Sequence, residues 1–430
     1  MIQSAKFFII GAMKNTYSKF GEKFTRYSGI AQLMDDLGRA NHSDDENIIM
    51  LGGGNPALIP KAHKVFVKEL KALIDNNEVD QMLGHYDGPQ GSEVFIQALV
   101  KMFNDHYDWD IDHNNIAITN GSQSSFFSLF NLFAGKMADG SQKKVLLPLA
   151  PEYIGYADQG LSEDMLVAIK PEIHELDNQQ FKYQIDFSKL EKTLKQENIG
   201  VICVSRPTNP TGNVITDNEL SKLDNIAKAN NIPLIVDNAY GQPFPGAIYT
   251  DVTLNWNENT ILCMSLSKLG LPGLRTGIVI ANHATIKAVS RMNGILSLAP
   301  NSVGPTLLTR MIKDKELIHL TNDVIKPYYQ IKADIAVKLF NEIFGNSSAK
   351  LHKLEGAFFM WIWFPDLKIT SEELYQRLKD KGVYIIPGHN FFIGMDNSWP
   401  HKHQCIRINY AKGEITLRKG LKVIYQEIFS

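Results

Sequence analysis

Short apolar runs alternate with longer amphipathic stretches across the middle of this chain, and this alternation constrains the fold more than any other feature. The apolar runs have the length of strands and lie at residues 115–119, 144–147, 200–204, 233–236 and 260–264. Strands that are apolar on both faces and separated by helices are typical of a mostly parallel sheet covered by helices on both sides. The sequence therefore predicts an α/β protein.

The length and a change of character near residue 304 predict two domains. A chain of 430 residues is long for one core. Beyond residue 304, expected helices at 323–344, 371–381 and 416–428 are interleaved with strands at 358–364, 383–386 and 405–410. We expect a large domain at 61–310 and a smaller α+β domain at 311–430. Residues 15–60 are expected to contribute to the small domain, and 1–14 to be a disordered extension or a spurious upstream addition.

Composition and charge exclude several classes of partner and location. The formal net charge is −2 and there is no long basic run, so neither nucleic acid nor an anionic membrane is expected as a partner. The three cysteines lie in apolar segments, which indicates reduced core residues and a cytoplasmic protein. The apolar run at 6–13 is short and is followed closely by lysines, so we do not expect it to be a targeting signal.

Polar side chains follow each predicted strand of the large sheet at the point where the strand ends. In open α/β sheets, ligands bind outside the carboxyl ends of the strands. Five separate loops should therefore converge on one face and form a binding site there. The polar groups that end these strands are Ser122 and Gln123 after Gly121, Tyr153, Asn209, Asp237 with Tyr240, and Ser265 with Lys268.

The last of these loops carries a lysine, a serine and an arginine that together suggest a cofactor. A lysine at a strand end, beside buried groups, can lose its proton and attack carbonyls. The hydroxyl of Ser265 and the guanidinium of Arg275 can both donate to phosphate oxygens. A lysine beside a phosphate clamp suggests pyridoxal 5′-phosphate held as a Schiff base by Lys268. Considered alone, the same stretch is equally compatible with a turn that carries a solvated lysine and arginine.

The other loops offer matching contacts, each with a simpler alternative. Asp237 could pair with a protonated ring nitrogen, or could cap a helix. Tyr240 and Asn209 could donate to a ring oxygen, or could be turn residues. The segment 121–123 could bind phosphate at a helix N-terminus or be a plain cap, and Tyr153 could stack on a ring or pack in the core.

The motifs in combination resemble the fold type I pyridoxal-phosphate aminotransferases. Asn209-Pro-Thr-Gly, Asp237-x-Ala-Tyr240 and Ser265-x-Ser-Lys268 with Arg275 occur in the order and spacing of that family. Longer strings extend the resemblance from about Tyr17 to the C-terminus and narrow it to the branch that exchanges the amino group between valine and pyruvate. These strings are Leu51-Gly-Gly-Gly-Asn-Pro, Tyr86-Asp-Gly-Pro-Gln-Gly, Thr119-Asn-Gly-Ser-Gln-Ser, Pro148-Leu-Ala-Pro-Glu-Tyr-Ile-Gly-Tyr and Pro387-Gly-His-Asn-Phe-Phe.

The resemblance implies a fold, a reaction and a role for each matched residue. The implied fold has a large domain, built on a mostly parallel sheet of the seven-stranded type, and a smaller α+β domain. The implied reaction converts valine and pyruvate to 3-methyl-2-oxobutanoate and alanine, or the reverse, in branched-chain and alanine metabolism. Lys268 matches the lysine that binds the cofactor and moves the substrate proton. Asp237 matches the ring-nitrogen partner, Asn209 and Tyr240 the ring-oxygen ligands, Tyr153 the stacked aromatic, and Ser122, Gln123, Ser265 and Arg275 the phosphate ligands.

The resemblance further implies a substrate site and a homodimer. Arg407 matches the arginine that binds the substrate carboxylate, with Gly54 and Asn209 also contacting substrate. Tyr86 matches a tyrosine that reaches the phosphate in the neighbouring subunit. The alternation of the strand supports Arg407 independently, since it lies opposite the apolar face formed by Ile406 and Ile408. An exposed strand charge is the alternative.

Two departures from the family pattern bear on the site. Lys268 and Arg275 are seven residues apart, one fewer than expected, so the turn at 270–273 should be tight. Arg206 is unusual before the Asn-Pro-Thr-Gly string, and could place a charge near the substrate or cap a strand. We identify no second substrate arginine in the sequence, which fits a small neutral amino acid.

The sequence offers three other interpretations: a metal site, a different reaction of the same cofactor, and a transcription regulator. His389, His401, His403 and Cys405 have no compact ligand spacing, so no metal site is expected. A different reaction of the same cofactor, such as β-elimination or aminocyclopropane-carboxylate synthesis, is the nearest alternative, because the same fold supports several outcomes. A cofactor-sensing transcription regulator would need an added DNA-binding domain, which the N-terminal residues are too few to form.

Overall fold

The computed structural model describes residues 17–26, 35, 38, 48–396 and 398–429. The expectation for residues 1–14 lies outside the described residues, as does most of the segment 15–47. Among the helices that are described, none is both long enough and apolar enough to cross a membrane.

The described strands, in chain order, are β1 Ile49–Met50, β2 Ile116–Thr119, β3 Gly135–Lys136, β4 Gln142–Leu147, β5 Leu166–Ala168, β6 Glu172–Glu175, β7 Gln180–Gln184, β8 Ile199–Ser205, β9 Leu234–Asp237, β10 Thr260–Ser265, β11 Gly277–Ile280, β12 Lys350–His352, β13 Phe359–Trp363, β14 Val383–Tyr384, β15 Ile386–Pro387 and β16 Cys405–Asn409. The described α-helices are α1 Lys19–Phe24, α2 Pro60–Asp75, α3 Glu78–Gly84, α4 Glu93–Tyr107, α5 Ser122–Phe133, α6 Phe187–Gln196, α7 Asp217–Ala229, α8 His283–Ser297, α9 Val303–Lys313, α10 Glu316–Leu320, α11 Lys326–Phe344, α12 Ser371–Asp380 and α13 Glu414–Phe429.

The large sheet is mostly parallel, as the alternation predicted. Its strand order is β2-β11-β10-β9-β8-β4, with β5 beside β4 and the two-residue β3 as an added eighth strand. Strands β10, β9, β8, β4 and β5 are parallel, while β11 runs against both of its neighbours and β3 runs against β4. Every residue of β8, β9, β10 and β11 is buried, because helices cover both faces and the strands carry apolar side chains on both.

A second sheet brings together strands from distant parts of the chain. Its order is β15-β16-β13-β12-β7-β6. Strand β7 pairs in parallel with β12, so residues 172–184 join a sheet otherwise built after residue 349. Strand β1 pairs with β14, which links residues 49–50 to the C-terminal part of the chain. The domain boundary near 310 stays a prediction, and this sheet takes strands from both sides of it.

Two expected elements differ in detail from the structure. The strand expected at 383–386 is divided, because β14 pairs with β1 whereas β15 pairs with β16. The helix expected at 323–344 begins as a π-helical turn at Thr321–Ile325 and continues as α11. Pro327 lies directly after this π-helical turn, at its junction with α11, and has no N–H to donate to the preceding helical turn.

Candidate active site

The loops that follow the strands of the large sheet enclose a cleft. The cleft contains every predicted cofactor-binding residue except Tyr86, because the carboxyl ends of β8, β9 and β10 meet there with the start of α5. Its lining residues are Ser122, Gln123, Tyr153, Ser205, Pro207, Asn209, Asp237, Ala239, Tyr240, Ser265, Ser267, Lys268 and Arg275.

Lys268 lies in a 3₁₀ turn directly after β10, with its amine in the cleft. Its Nζ donates to the carbonyl of Gly54 at 3.0 Å and lies 5.4 Å from the centroid of the Tyr240 ring. Desolvation and the positive charge of Arg407 together lower the pKa of Lys268 to about 8, while Asp237 acts in the opposite direction. A fraction of this amine is therefore neutral near physiological pH, as a nucleophile or a proton acceptor requires.

Asp237 ends β9 with both carboxylate oxygens hydrogen-bonded. The Tyr156 hydroxyl donates to Oδ2 at 2.6 Å, and the N–H of Ala239 donates to Oδ1 at 3.0 Å. Burial raises the pKa of Asp237, whereas these two donors and the charge of Lys268 lower it. A buried carboxylate fixed in this way suits a cationic partner that enters the cleft.

Tyr240 places a hydroxyl in the cleft wall that is buried and has no partner among the described residues. Burial raises the pKa of Tyr240 well above its ordinary value, so the phenol keeps its proton and remains a donor. Buried polar atoms are normally hydrogen-bonded. An orphaned donor at this position therefore indicates an acceptor that belongs to a ligand.

A cup for an anion is formed where α5 begins. Gly121 is the N-cap with φ 91°, and the helix has no side-chain cap, so its first-turn N–H groups face the cleft end. The Arg275 guanidinium lies so close to this turn that a Cβ at residue 121 would clash with its Nη2. Arg275 Nη1 donates to the Ser267 hydroxyl at 3.3 Å, and the Ser267 N–H donates to Ser265 Oγ at 3.0 Å. Helix N-terminus, guanidinium and hydroxyls together suit a phosphate.

The short connection from Lys268 to Arg275 is accommodated by two 3₁₀ turns. These are Ser267–Leu269 and Pro272–Leu274, with Gly270 between them at φ 112°. Arg275 itself has φ 44°, in the left-handed region. The tight turn predicted from the spacing is present, and it still directs the arginine to the cup.

Tyr153 lines the cleft, and its ring packs closely against Gly155. A Cβ added at Gly155 would lie 2.3 Å from Cε1 of the Tyr153 ring, so glycine permits this close approach. The carbonyl of Gly155 accepts from Gln123 Nε2 at 3.0 Å, which joins the Tyr153 loop to the start of α5.

Arg407 extends from β16 of the second sheet to Asn209, a residue of the cleft wall. It is only 3% exposed, and its Nη1 and Nη2 donate to Asn209 Oδ1 at 2.7 Å and to the carbonyl of Gly52 at 2.6 Å. Its Nε has no partner among the described residues. Burial lowers the pKa of Arg407 to about 10, so the guanidinium stays charged at neutral pH. Its centre lies 4.3 Å from the ring centroid of Phe359.

Tyr86 and Arg206 lie apart from the cleft of this chain. Tyr86 is 87% exposed, so a role at a phosphate would require a second copy. Arg206 is buried and directed elsewhere: its Nε donates to the Ile215 carbonyl at 2.8 Å, and its Nη2 to Asp217 at 2.5 Å. Of the two roles considered for Arg206, these contacts favour the structural one.

The histidines near the C-terminus are engaged in packing. His389 stacks on His403 with ring centroids 5.5 Å apart, and His401 Nε2 lies 2.5 Å from the Tyr183 hydroxyl. Over the described ranges, no group of three or more His, Cys, Asp or Glu side chains could hold a metal ion.

Four polar residues of the site were not predicted: Tyr156, Ser205, Ser267 and Glu152. Ser205 ends β8 opposite Asp237 in the register of β8 and β9, so the rule that identified the other strand-end residues would have found it. Tyr156 lies within a quoted string, but its bond to Asp237 joins residues 81 positions apart. Such a contact has no signal in a single sequence.

The residues present fit pyridoxal 5′-phosphate. A desolvated lysine, a fixed carboxylate, an unpartnered phenol and an anion cup correspond to the aldehyde, ring nitrogen, ring oxygen and phosphate of that molecule.

Comparisons with known proteins identify a family for this chain. A family model described as aminotransferase class I and II matches residues 46–424. The valine–pyruvate aminotransferase of Escherichia coli K12 is 52% identical over 413 residues, covering 96% of this chain and 98% of that protein. A crystal structure of valine–pyruvate aminotransferase AvtA from Salmonella typhimurium LT2 has 50% identity and a TM-score of 0.85, covering 93% and 98%. A kynurenine aminotransferase from Pyrococcus horikoshii has the same fold, with a TM-score of 0.79 at 22% identity over 97% and 98% of the two chains.

Proposed function

Since the chain belongs to the class I and II aminotransferases, we propose that it exchanges the amino group between L-valine and pyruvate, giving 3-methyl-2-oxobutanoate and L-alanine. A pyridoxal-phosphate transaminase acting on an amino acid and a 2-oxo acid follows from family membership. The particular pair of substrates is the proposal. Its main support is the likeness to the valine–pyruvate aminotransferase of E. coli over nearly the whole of both chains.

The charges around the cleft support a small neutral amino acid as substrate. Arg407 supplies one buried guanidinium for an α-carboxylate, and a planar guanidinium binds a carboxylate through two parallel hydrogen bonds. Arg275 belongs to the anion cup, and Arg206 is bonded to Asp217. The two other arginines considered thus have different partners, which disfavours a substrate with a second carboxylate.

Each cleft residue is proposed to hold one part of the cofactor. Asp237 binds the ring nitrogen, and Tyr240 and Asn209 bind the ring oxygen. Tyr153 covers the ring, and Lys268 attaches to the aldehyde carbon. The phosphate is bound by the cup residues, which are Ser122, Gln123, Ser265 and Arg275. When bound, pyridoxal 5′-phosphate supplies a carbonyl for the substrate amine and a ring that accepts the electrons of the Cα–H bond.

Lys268 is proposed to move the substrate proton. As a neutral amine, Lys268 Nζ takes the proton from the substrate Cα. The lowered pKa makes this neutral form of the amine available near pH 8. Arg407 fixes the α-carboxylate and, through its bond to Asn209, is positioned relative to the ring-oxygen site. One 2-oxo acid leaves before the next enters, so ping-pong kinetics are expected.

We also propose that the enzyme is a cytoplasmic homodimer. Tyr86 is exposed in this chain, in agreement with a tyrosine that reaches a neighbouring active site. Large apolar side chains are exposed as well, including Leu83 at 69% and Ile295 at 89%, as expected of surfaces that a second subunit covers. The three cysteines are free and buried, which suits a reducing compartment.

The experiment that tests the substrates is product analysis with the holoenzyme. Valine and pyruvate should yield alanine and 3-methyl-2-oxobutanoate in equal amounts, with parallel lines in double-reciprocal plots. Release of ammonia from valine alone, or failure to form alanine while other amino donors are used, would contradict the proposal. Borohydride reduction followed by peptide mass spectrometry should locate the cofactor on Lys268, and K268A should lose both the adduct and the exchange.

A further inference from the structure

A chain of buried oxygen atoms leads from Asp237 to Glu152, a carboxyl group for which the transamination chemistry has no role. Tyr156 Oη donates to Asp237 Oδ2 at 2.6 Å. The same hydroxyl lies 3.2 Å from Ser205 Oγ, and Ser205 Oγ lies 2.5 Å from Glu152 Oε2. The other oxygen of Glu152, Oε1, accepts from the Ser205 N–H at 2.9 Å. Three successive contacts thus connect two carboxyl groups through two hydroxyls.

Counting protons shows what these contacts require. Each hydrogen bond between two oxygens needs one proton, so three contacts need three. The hydroxyls of Ser205 and Tyr156 supply two, and the third must come from one of the carboxyl groups. If both carboxyls were ionised, one of the three contacts would have no proton, and the lone pairs of its two oxygens would face each other in a buried site.

The surroundings decide which carboxyl holds the third proton. Burial raises the pKa of Asp237, but Asp237 faces the cleft, and the two hydrogen bonds that it accepts from Tyr156 and Ala239, together with the positive charge of Lys268, favour its ionised form. Glu152 is fully buried, and within the described ranges no ion pair involves it. The titratable groups that act on it are acids, namely Asp237, Tyr156 and Cys203. Burial raises the pKa of Glu152 to about 8, with a contribution from the charge of Asp237, although the hydrogen bonds from Ser205 and the Tyr153 N–H act in the opposite direction.

We infer that Glu152 is a neutral carboxylic acid and the terminal donor of a hydrogen-bond relay that runs through Ser205 and Tyr156 to an ionised Asp237. Glu152 Oε2–H donates to Ser205, Ser205 Oγ–H donates to Tyr156, and Tyr156 Oη–H donates to Asp237. Every contact is then satisfied in one direction. Glu152 acts as a positioning residue, since it touches neither cofactor nor substrate and acts through the hydroxyls.

The backbone of Glu152 anchors the relay on the substrate side as well. Its N–H donates to the carbonyl of Phe391 at 2.9 Å. The Phe391 ring lies 5.1 Å from the Arg407 guanidinium. The inference rests on the proposed role of Asp237 as the partner of the cofactor ring nitrogen, and it explains how that carboxylate stays ionised and aimed in a buried site.

The test compares wild-type holoenzyme with E152Q and D237N by infrared difference spectroscopy near pH 7. A protonated carboxyl has a carbonyl stretch distinct from that of a carboxylate, and this band should be present in the wild type, shift in D₂O and disappear in E152Q. A wild type without the band, or a band that persists in E152Q and is lost in D237N, would overturn the inference.

Cofactor affinity provides a second readout. Glutamine keeps a donor for Ser205 Oγ and an acceptor for the Ser205 N–H, and gives up only the long bond of 3.3 Å that Glu152 Oε2 accepts from the Tyr153 N–H, so E152Q should bind pyridoxal 5′-phosphate within a few-fold of the wild type. E152L removes the donor, and the dissociation constant should rise by about tenfold or more. An E152Q enzyme as weak as E152L would show that a charged carboxylate is needed and would overturn the inference. If E152L does not fold, Y156F interrupts the relay nearer Asp237 and should weaken binding while the infrared band remains.

These readouts separate the inference from the proposed function. Loss of the Glu152 band with intact valine–pyruvate exchange would count against the relay alone. A normal band and normal cofactor affinities in an enzyme that does not use valine would count against the proposed substrates alone.

Discussion

Replacing Tyr240 with phenylalanine should move apoenzyme stability and cofactor affinity in opposite directions. The Tyr240 hydroxyl is buried without a partner among the described residues, in a side chain that is 5% exposed. A buried polar group without a hydrogen bond costs about 1–3 kcal/mol. Y240F removes that cost with almost no change in shape, so the apoenzyme should unfold at the same or a higher temperature.

The same substitution should weaken the holoenzyme. Because burial raises the pKa of Tyr240 well above its ordinary value, the phenol remains a donor for the ring oxygen. A hydrogen bond to a charged acceptor contributes about 1.5–3 kcal/mol, which corresponds to a rise of about 10- to 100-fold in the cofactor dissociation constant. Equilibrium dialysis against pyridoxal 5′-phosphate measures this change, and thermal unfolding of the apoenzyme measures the other.

Tyr410 provides the matched control. Its side chain is fully buried, and its hydroxyl donates to the Ala357 carbonyl at 2.8 Å. Y410F should therefore destabilise the apoenzyme by about 1 kcal/mol, the net worth of an ordinary hydrogen bond, with little effect on cofactor binding. The reasoning fails if Y240F destabilises the apoenzyme as Y410F does, or if Y240F binds the cofactor as tightly as the wild type.

Three further predictions concern Arg407, Arg206 and Lys268. R407K keeps the charge but loses the paired donors, so kcat/KM for valine should fall about 100-fold, and the loss of the bonds to Asn209 and Gly52 should also lower the melting temperature. R206M instead leaves buried carbonyls unpaired and should cost about 1–3 kcal/mol of stability without changing kcat/KM; the reverse pattern would make Arg206 the substrate residue. For Lys268, the pKa falls from 10.5 to about 8 on folding. The folded apoenzyme therefore binds fewer protons between these values, and its free energy of unfolding should rise from pH 8 to 10.5 relative to K268M. Equal pH slopes for wild type and K268M in denaturant titrations would refute this.

The strand-end residues could be predicted because parallel topology itself gathers them. Asp237 and Ser265 end neighbouring strands β9 and β10, and Ser122 begins a helix directly after β2. The alternation of β16 likewise predicts that Arg407 lies on the face opposite Ile406 and Ile408. Local periodicity and strand direction are readable in a sequence, so the elements and the edge that carries the site followed from them.

What could not be predicted depends on contacts between distant residues. Strand β7 joins β12 across some 170 positions, a pairing that no local pattern encodes. The bond from Tyr156 to Asp237 and the link from Ser205 to Glu152 likewise need the folded arrangement. The shortened turn before Arg275 was visible in the spacing, but the left-handed backbone of Arg275 that directs its side chain was not.

The glycine string 52–54 explains why Arg407 should contribute less to substrate affinity than its burial suggests. Three successive carbonyls of this segment accept from three different site residues: Gly52 from Arg407, Gly53 from Asn409 and Gly54 from Lys268. A substrate carboxylate that takes the N–H now donated to the Gly52 carbonyl exchanges one acceptor for another, whereas the Nε–H has no partner among the described residues and is available at once. Hydrogen bonds to ionised acceptors are about twice as strong as those to neutral ones, so the Nη2 bond adds only the difference between the two acceptors to the affinity. In the same way, Lys268 Nζ gives up its bond to the Gly54 carbonyl when the amine engages another partner. One backbone segment therefore holds both cations.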